Sequence, residues 1–484
     1  KVGVDVDLQD VPLKYPGLRP WEIWLSEAQE RMVLSVPPAN LDRLATICEN
    51  RDVEWTVIGR FTGDGHLRVF HGDRLAADLE MDFLHNGWPV PELVAEWRAQ
   101  EWPRTPLAES GDRTTELLRL LADPDVASKE AVIRRYDHEV QGATIVKPLV
   151  GVADDGPSDG VVLRPLFEVS PSGERAGSSA NNYRGVALGC GICPHYARID
   201  PYAMAWAAID EAIRNIVCVG ADPDQVALLD NFCWGNPAIP DRMGSLVRAC
   251  QGCHDAALTY GAPFISGKDS LNNEYVDPHG QKRTIPPTLL ISSLGIVPDV
   301  RSALTMDLKQ AGHYVYAVGE TRSELGGSLY ARLNGLVGHQ IPAPVPDAIE
   351  LMRALHRTIS ARLARACHDL SEGGLAVAAA EMALAGRLGL QLDLSRLPIA
   401  DDVAHNDEAL FSESSARFLV EVAPDDASEF ERTMGNVSCA RIATVMSDQV
   451  FQIQGLHGGT VIACTIDDIR RAWQGHSELG GAHA

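Results

Sequence analysis

One stretch of this chain occurs twice, at unequal depth. Ser26-Glu27-Ala28-Gln29-Glu30-Arg31-Met32-Val33-Leu34 is echoed by Ser412-Glu413-Ser414-Ser415-Ala416-Arg417-Phe418-Leu419-Val420. Both copies place Ser-Glu ahead of an Arg and an apolar run that reads as a buried strand. About 30 residues on, Ile58–Asp64 is answered by Ile442–Asp448. A repeat this far apart marks a duplicated domain, since solenoid periods run to roughly 20–50 residues. The second copy has its own pattern upstream from about His313, whereas the first has 25 residues before Ser26. The first copy is therefore expected to lack its upstream part. Either the chain is a fragment, or another polypeptide supplies that part. A chain beginning with Lys1 rather than Met agrees with this expectation.

Length and charge narrow the classes. At 484 residues the chain exceeds one core, and about 150 residues per domain suggests three. A net charge of −24 argues against a nucleic-acid surface, because phosphate neutralisation needs a basic face. It leaves small phosphorylated ligands open, since loops and metal ions hold those. No run approaches the ~18 apolar residues of a membrane span, and the first ten residues carry no secretory apolar core. Ten cysteines without a dense framework fit reduced thiols in the cytoplasm.

Along the chain, we expect a strand at Arg31–Val36, a helix at Pro38–Arg51, and strands at Val53–Arg60 and His66–His71. Residues 94–113 read as a linker. Helices are expected at Thr115–Leu121, Ser128–Tyr136, Pro201–Val219 and Gly244–Tyr260. Strands are expected at Thr144–Val152, Gly160–Pro165, Gln225–Asn231, Pro263–Ser266, Leu289–Ile296 and Ala416–Val422. Ser170–Asn182 reads as a loop. Boundaries near 105 and 306 give domains 1–105, 106–305 and 306–484, in a layered α/β (α+β) fold.

Four segments could carry chemistry. Ser266-Gly267-Lys268-Asp269-Ser270 ends a strand. Its Gly admits backbone N–H groups to an oxyanion, Lys and Ser add donors, and Asp offers a hard oxygen for Mg²⁺. A polar turn explains it equally, and the spacing is not that of a P-loop. His368-Asp369-Leu370-Ser371-Glu372-Gly373-Gly374 precedes an Ala-rich helix. It reads either as an ordinary helix start or as an anion site with Asp369 on a metal. Glu211 and Asn215 are four apart on one helical face, as ligands or as a solvated pair. Asp230–Pro237 ends a strand, where ligands commonly bind and where tight turns also fall. Cys190/Cys193 and Cys250/Cys253 form two CxxC pairs. A four-thiolate zinc site is one reading, and buried free thiols are the default.

Taken together these segments resemble phosphoribosylformylglycinamidine synthase. The resemblance rests on Ser-Glu-x-Gln-Glu-Arg-Met, Gly-Lys-Asp-Ser, Glu-x-x-x-Asn before Gly220-Ala221-Asp222-Pro223, Asn-Phe-x-x-Gly-Asn-Pro, and His-Asp-Leu-Ser-Glu-Gly-Gly. Glu324–Ser328 and Leu410–Ser414 match as well. It covers almost the whole chain, in family order. Aminoimidazole ribonucleotide synthetase and selenophosphate synthetase share the fold without this duplication.

The resemblance implies an A1-B1-A2-B2 arrangement of the aminoimidazole ribonucleotide synthetase-like type. Residues 1–105 would be the tail of B1 with its linker, 106–305 A2, and 306–484 B2. In the family, A1 and A2 pair their sheets. One nucleotide site is catalytic, and its mate holds a structural nucleotide with Mg²⁺. The implied reaction converts formylglycinamide ribonucleotide, ATP and ammonia to formylglycinamidine ribonucleotide, ADP and phosphate. Ammonia would come from a partner glutaminase.

Carried over by residue, Glu27, Gln29 and Ser270 are implied at substrate. Asp230, Gly267, Ser371 and Lys147 are implied at nucleotide, and Glu211, Asn215 and Asp369 at Mg²⁺. Ala28 stands where the family often has Ser, and Lys268 is not taken as a ligand. A further Asp implied near Gly189 is replaced by Gly189-Cys190-Gly191. The family's catalytic His lies in a Ser-His-Asn-His-Pro motif that this sequence does not contain. His368 is not its equivalent, so no catalytic residue is assigned, and the chain by itself is expected to be inactive. Two alternatives remain: a non-catalytic nucleotide-binding scaffold of the same fold, and an aminoimidazole ribonucleotide synthetase-like enzyme.

Overall fold

The structure, a computed structural model, describes residues 2–28, 31–100, 102–107, 111–139, 142–165, 168–169, 175–176 and 182–475. Two compact units emerge. One comprises residues 1–92 with 169–175, and the other 93–168 with 176–484.

The smaller unit is built on four strands: β1 (Val4–Asp7), β2 (Gly59–Phe61), β3 (His66–His71) and β4 (Arg74–Glu80), in the order β2-β1-β3-β4. Helix α1 (Leu41–Glu49) falls where the sequence placed it. The core of this unit is small: Val6, Leu8, Ile23 and Val69, with a few half-buried neighbours. The strand expected at Arg31–Val36 is absent from the described residues. Met32 and Val33 are 85% and 86% exposed there. Apolar content alone does not make a strand, because its backbone donors and acceptors need partners. The strand expected at Val53–Arg60 shrinks to Gly59–Phe61 for the same reason, pairing only where β1 runs beside it.

In the larger unit a six-stranded sheet comes first. Its strands are β5 (Thr144–Val146), β6 (Val161–Leu163), β7 (Gly185–Ile192), β8 (Val226–Cys233), β9 (Phe264–Ser270) and β10 (Thr288–Val297), in the order β9-β8-β10-β7-β6-β5. Only β8 and β9 run parallel. Helix α2 (Thr114–Leu121) lies upstream of this sheet. Helices α3 (Pro201–Cys218) and α4 (Pro240–Tyr260) pack together. Asp200 caps α3 by accepting from Tyr202 N, and Gly261, at φ +66°, ends α4 in the left-handed turn expected of it.

Strand β7 was missed in the sequence because glycines fill one of its faces. Gly185, Gly189 and Gly191 are buried there, while Leu188, Cys190 and Ile192 point to the other side and are exposed. The glycines let α3 lie directly on the sheet. A Cβ at Gly191 would stand 2.0 Å from the Ala208 carbonyl oxygen, and one at Gly189 3.0 Å from that of Ala212. Gly191→Ala is therefore expected to cost about 2 kcal/mol or more, read as a lowered urea midpoint, because backbone atoms cannot yield as a side chain would.

A seven-stranded sheet follows. Its strands are β11 (Tyr314–Val318), β12 (Ala364–Asp369), β13 (Gly389–Asp393), β14 (Phe418–Val422), β15 (Cys439–Met446), β16 (Val450–Gln454) and β17 (Thr460–Thr465), in the order β12-β14-β11-β15-β13-β16-β17. Helices α5 (Ala348–Ser360) and α6 (Gly374–Gly386) belong to the same half. The apolar run of the second repeat becomes β14, buried throughout and hydrogen-bonded on both sides, to β11 and β12. One contiguous hydrophobic core runs through the larger unit. Helix α3 joins its halves, meeting β7 and β10 on one side and β12 and α5 on the other.

Candidate functional site

Two groups of polar side chains stand out in the larger unit. The first lies on the parallel pair β8–β9. Asp230 pairs in register with Gly267, so their side-chain positions share a face. A Cβ on Gly267 would meet Asp230 Oδ1 at 1.8 Å, so the carboxylate lies over the glycine. That same Oδ1 is buried without a hydrogen-bond partner. Burial raises the Asp230 pKa, and the neighbouring Asp269 adds to the rise. An orphaned carboxylate oxygen beside a second carboxylate suits a cation, or a donor on a ligand. Lys268 Nζ lies 2.5 Å from Ser270 Oγ, so two phosphate donors of the Gly-Lys-Asp-Ser segment are adjacent.

The second group surrounds the middle of α3 and the end of β12. Glu211 Oε2 accepts from Ile192 N at 2.8 Å. Burial, with the nearby Asp369 charge, lifts its pKa to about 7. Asn215 donates to the Cys190 carbonyl at 2.6 Å. Asp369 Oδ2 accepts from Arg214 Nε at 3.1 Å and from Ser371 Oγ at 2.6 Å. A divalent ion at Asp369 Oδ2 would have to displace the Arg214 guanidinium. Glu211, Asn215, Asp369 and Ser371 are thus neighbours, but Glu211 Oε2, Asn215 Nδ2, Asp369 Oδ2 and the Ser371 hydroxyl already serve protein partners. The donor set as it stands does not fit Mg²⁺. Lys147 is a surface residue whose Nζ lies 3.2 Å from Asp154 Oδ2.

Sequence reasoning missed three members. Arg214 and Asp210 sit inside the very stretch that supplied Glu211 and Asn215. Asp159 lies in a Gly-Pro-Ser-Asp-Gly turn that read as punctuation. Its Oδ1 takes the Asp369 N–H at 2.9 Å and lies 2.8 Å from His368 Nδ1. Asp159, His368 and Asp369 are close enough to hold a metal ion. Burial opposes a charge on His368, but Asp159 on one side and Glu381, 3.1 Å from Nε2, on the other hold its pKa well above the ordinary value. A histidine so held donates from both nitrogens and has no lone pair for a metal. Among the described residues, the cluster suited to a metal contains no cysteine. Cys190 and Cys250 are exposed, not buried as the default reading had them, while Cys253 is buried.

In the smaller unit Glu27 is exposed, and Gln29 lies outside the described residues.

A six-stranded sheet lined by glycines where α3 lies on it, followed by a seven-stranded sheet whose strand β12 ends at His368-Asp369, defines a layered α/β class of protein. The family profile described as "AIR synthase related protein, N-terminal domain" matches residues 175–297. The C-terminal domain profile of the same family matches twice, over residues 1–72 and 310–455, which is the duplication seen in the sequence. The chain belongs to the AIR synthase related family. Within it, the chain is similar to the phosphoribosylformylglycinamidine synthase subunit PurL of Thermoplasma acidophilum, at 30% identity over 98% of this chain and 59% of that protein. It is likewise similar to the PurL of Thermomicrobium roseum, at 35% identity over 87% of this chain and 54% of that protein. A solved structure, T. maritima PurL complexed with FGAR, has the same fold, with a TM-score of 0.56 and 17% identity over 74% of this chain and 53% of that one. The chain thus spans a little over half the length of these relatives.

Proposed function

We propose that this chain is part of the ATP-dependent carbon–nitrogen ligase that makes formylglycinamidine ribonucleotide from formylglycinamide ribonucleotide, ammonia and ATP. Asp230 carries the proposal: a partly buried carboxylate with an orphaned oxygen, poised over a glycine that no other residue could replace without moving it. Support also comes from similarity to PurL proteins over nearly the whole chain.

In this reading the amide oxygen of the substrate attacks the γ-phosphorus as the bond to ADP breaks, and ammonia then displaces phosphate from the iminophosphate. Such a transfer depends on positioning and charge neutralisation more than on covalent help from the protein. Gly267 lets the backbone approach the nucleotide phosphates. Ser270 alternates to the opposite face of β9 from Gly267 and Asp269 and is proposed at the substrate phosphate, with Lys268 beside it. Mg²⁺ arriving with the nucleotide would be held by Asp230 with Asp269 beside it, spreading the charge of the transferred group. Glu27 and Gln29 are proposed at the substrate by the same residue-by-residue match, and Lys147 at a phosphate once released from Asp154. The domain assignment 1–105, 106–305 and 306–484 is part of the proposal.

The catalytic histidine motif does not occur in this sequence. Turnover is accordingly proposed to need the segment carrying that histidine, whether joined to this chain or supplied by another, and a glutaminase to supply ammonia. The exposed face of the six-stranded sheet, with Leu188 and Ile192, offers that segment an apolar surface. The described residues contain no helix long and apolar enough to cross a membrane, and a cytoplasmic setting is proposed.

Calorimetric titration of the chain with Mg-ATP, beside Asp230→Asn, tests this reading. Saturable binding is expected in the parent and a loss of at least about tenfold in the variant, equal to ~1.4 kcal/mol. No binding by the parent would overturn it. Binding without turnover, even after a histidine-bearing segment of a relative is added, would favour the scaffold reading. Turnover of formylglycinamidine ribonucleotide by the chain alone would favour the aminoimidazole ribonucleotide synthetase-like one.

A further inference from the structure

We propose that the Arg214 guanidinium is a built-in cation in this chain, holding the place beside Asp369 that the family resemblance gives to Mg²⁺, so that this second site is closed to Mg-nucleotide. The proposal concerns α3 and β12, and stands apart from the nucleotide reading of β8 and β9.

Arg214 is 4% exposed, in the interior of α3. Nε and Nη2 reach Asp369 Oδ2 at 3.1 and 3.0 Å, and Nη1 pairs with Asp210. Nη2 also donates to Ser371 Oγ at 3.2 Å and to the Leu370 carbonyl at 3.3 Å. A guanidinium keeps its charge at any ordinary pH and presents a fixed fork of donors, so it neutralises two buried carboxylates without taking up or releasing a proton.

Two of the neighbouring carboxylates, Asp210 and Glu413, are satisfied as well. Asp210 also accepts from Tyr260 Oη at 2.5 Å and from Ala416 N at 2.9 Å. Glu413, the repeat counterpart of Glu27, accepts from Tyr196 Oη at 2.6 Å, Gly373 N at 2.8 Å and Leu329 N at 2.9 Å. Space gives the same answer. The cavity between Cys193, Tyr196, Glu211, Arg214, Ser371 and Glu413 measures about 20 Å³. That is room on the order of one water, whereas small-molecule sites run to roughly 300–1,000 Å³. A divalent ion entering here would also meet the guanidinium at close range, with like charges in a poorly solvated place.

A thermal-unfolding series on the whole chain tests this, with Mg²⁺ alone and with Mg-ADP as probes. Mg²⁺ alone is expected to leave the parent's unfolding temperature unchanged. Any rise caused by Mg-ADP should survive Asp369→Asn and vanish in Asp230→Asn, which places the nucleotide at β8–β9. Arg214→Ala should unfold several degrees lower and recover part of that loss in millimolar guanidinium, which can refill the vacated place. A Mg-ADP rise that Asp369→Asn abolishes would overturn the proposal, whatever Asp230→Asn does. So would an Arg214→Ala chain as stable as the parent. If Arg214→Ala does not fold, the comparison of Asp369→Asn with Asp230→Asn decides alone. Failure of the β8–β9 reading looks different, since no variant or parent would then respond to nucleotide.

Discussion

Gly267→Ala is expected to reduce Mg-ATP affinity on the order of a hundredfold, ~2.7 kcal/mol, while leaving the unfolding temperature nearly intact. The added Cβ would stand 1.8 Å from Asp230 Oδ1 and 2.6 Å from its Cγ, so the carboxylate must swing away. Gly267 itself is exposed on β9, and its φ is not in the left-handed region. Ala therefore costs little backbone energy there, and the loss should fall on binding. Calorimetric titration measures it, with circular dichroism melting as the control. An unchanged affinity would show that Asp230 does not need the place it holds over the glycine.

Arg113→Ala is expected to cost about 3–5 kcal/mol of stability. Arg113 precedes α2, and its guanidinium grips Asp407 with Nε at 2.6 Å and Nη2 at 3.1 Å. Asp407 is 2% exposed and, among the described residues, has one further partner, Tyr330 Oη at 2.7 Å. Removing the arginine strands a charge in the interior. Urea unfolding gives the number. The paired variant Arg113→Met with Asp407→Leu should recover most of the loss, because the cost is that of an uncompensated charge rather than of an absent bond. If the pair is as unstable as the single variant, packing around Arg113 matters more than its charge.

Much of the frame was legible from the chain. Helices α3 and α4 carried strong periodicity and clear ends, at Asp200 and Gly261. Strands β8, β10 and β14 read as apolar runs. Strand β7 did not, because Gly-Val-Ala-Leu-Gly-Cys-Gly-Ile looks like a loop until a helix is laid across its glycines. Arg31–Val36 erred the other way. It has the composition of β14, but strands also need neighbours, and those are a matter of tertiary structure.

The site divided along similar lines. Asp230 and Gly267 were found as strand ends, and their register brought them together. Arg214 was passed over because a charged residue on a helix usually faces water. Only the burial of α3 on both sides turns it into a partner for Asp369. Asp159 was hidden because its role depends on a residue 210 positions away.

Helix α3 has a consequence for dissecting this molecule. Since it forms a wall of both sheets, cutting the chain near residue 306 would leave each half with a raw apolar flank. The larger unit should melt in one cooperative transition, and its halves should be recovered together or not at all.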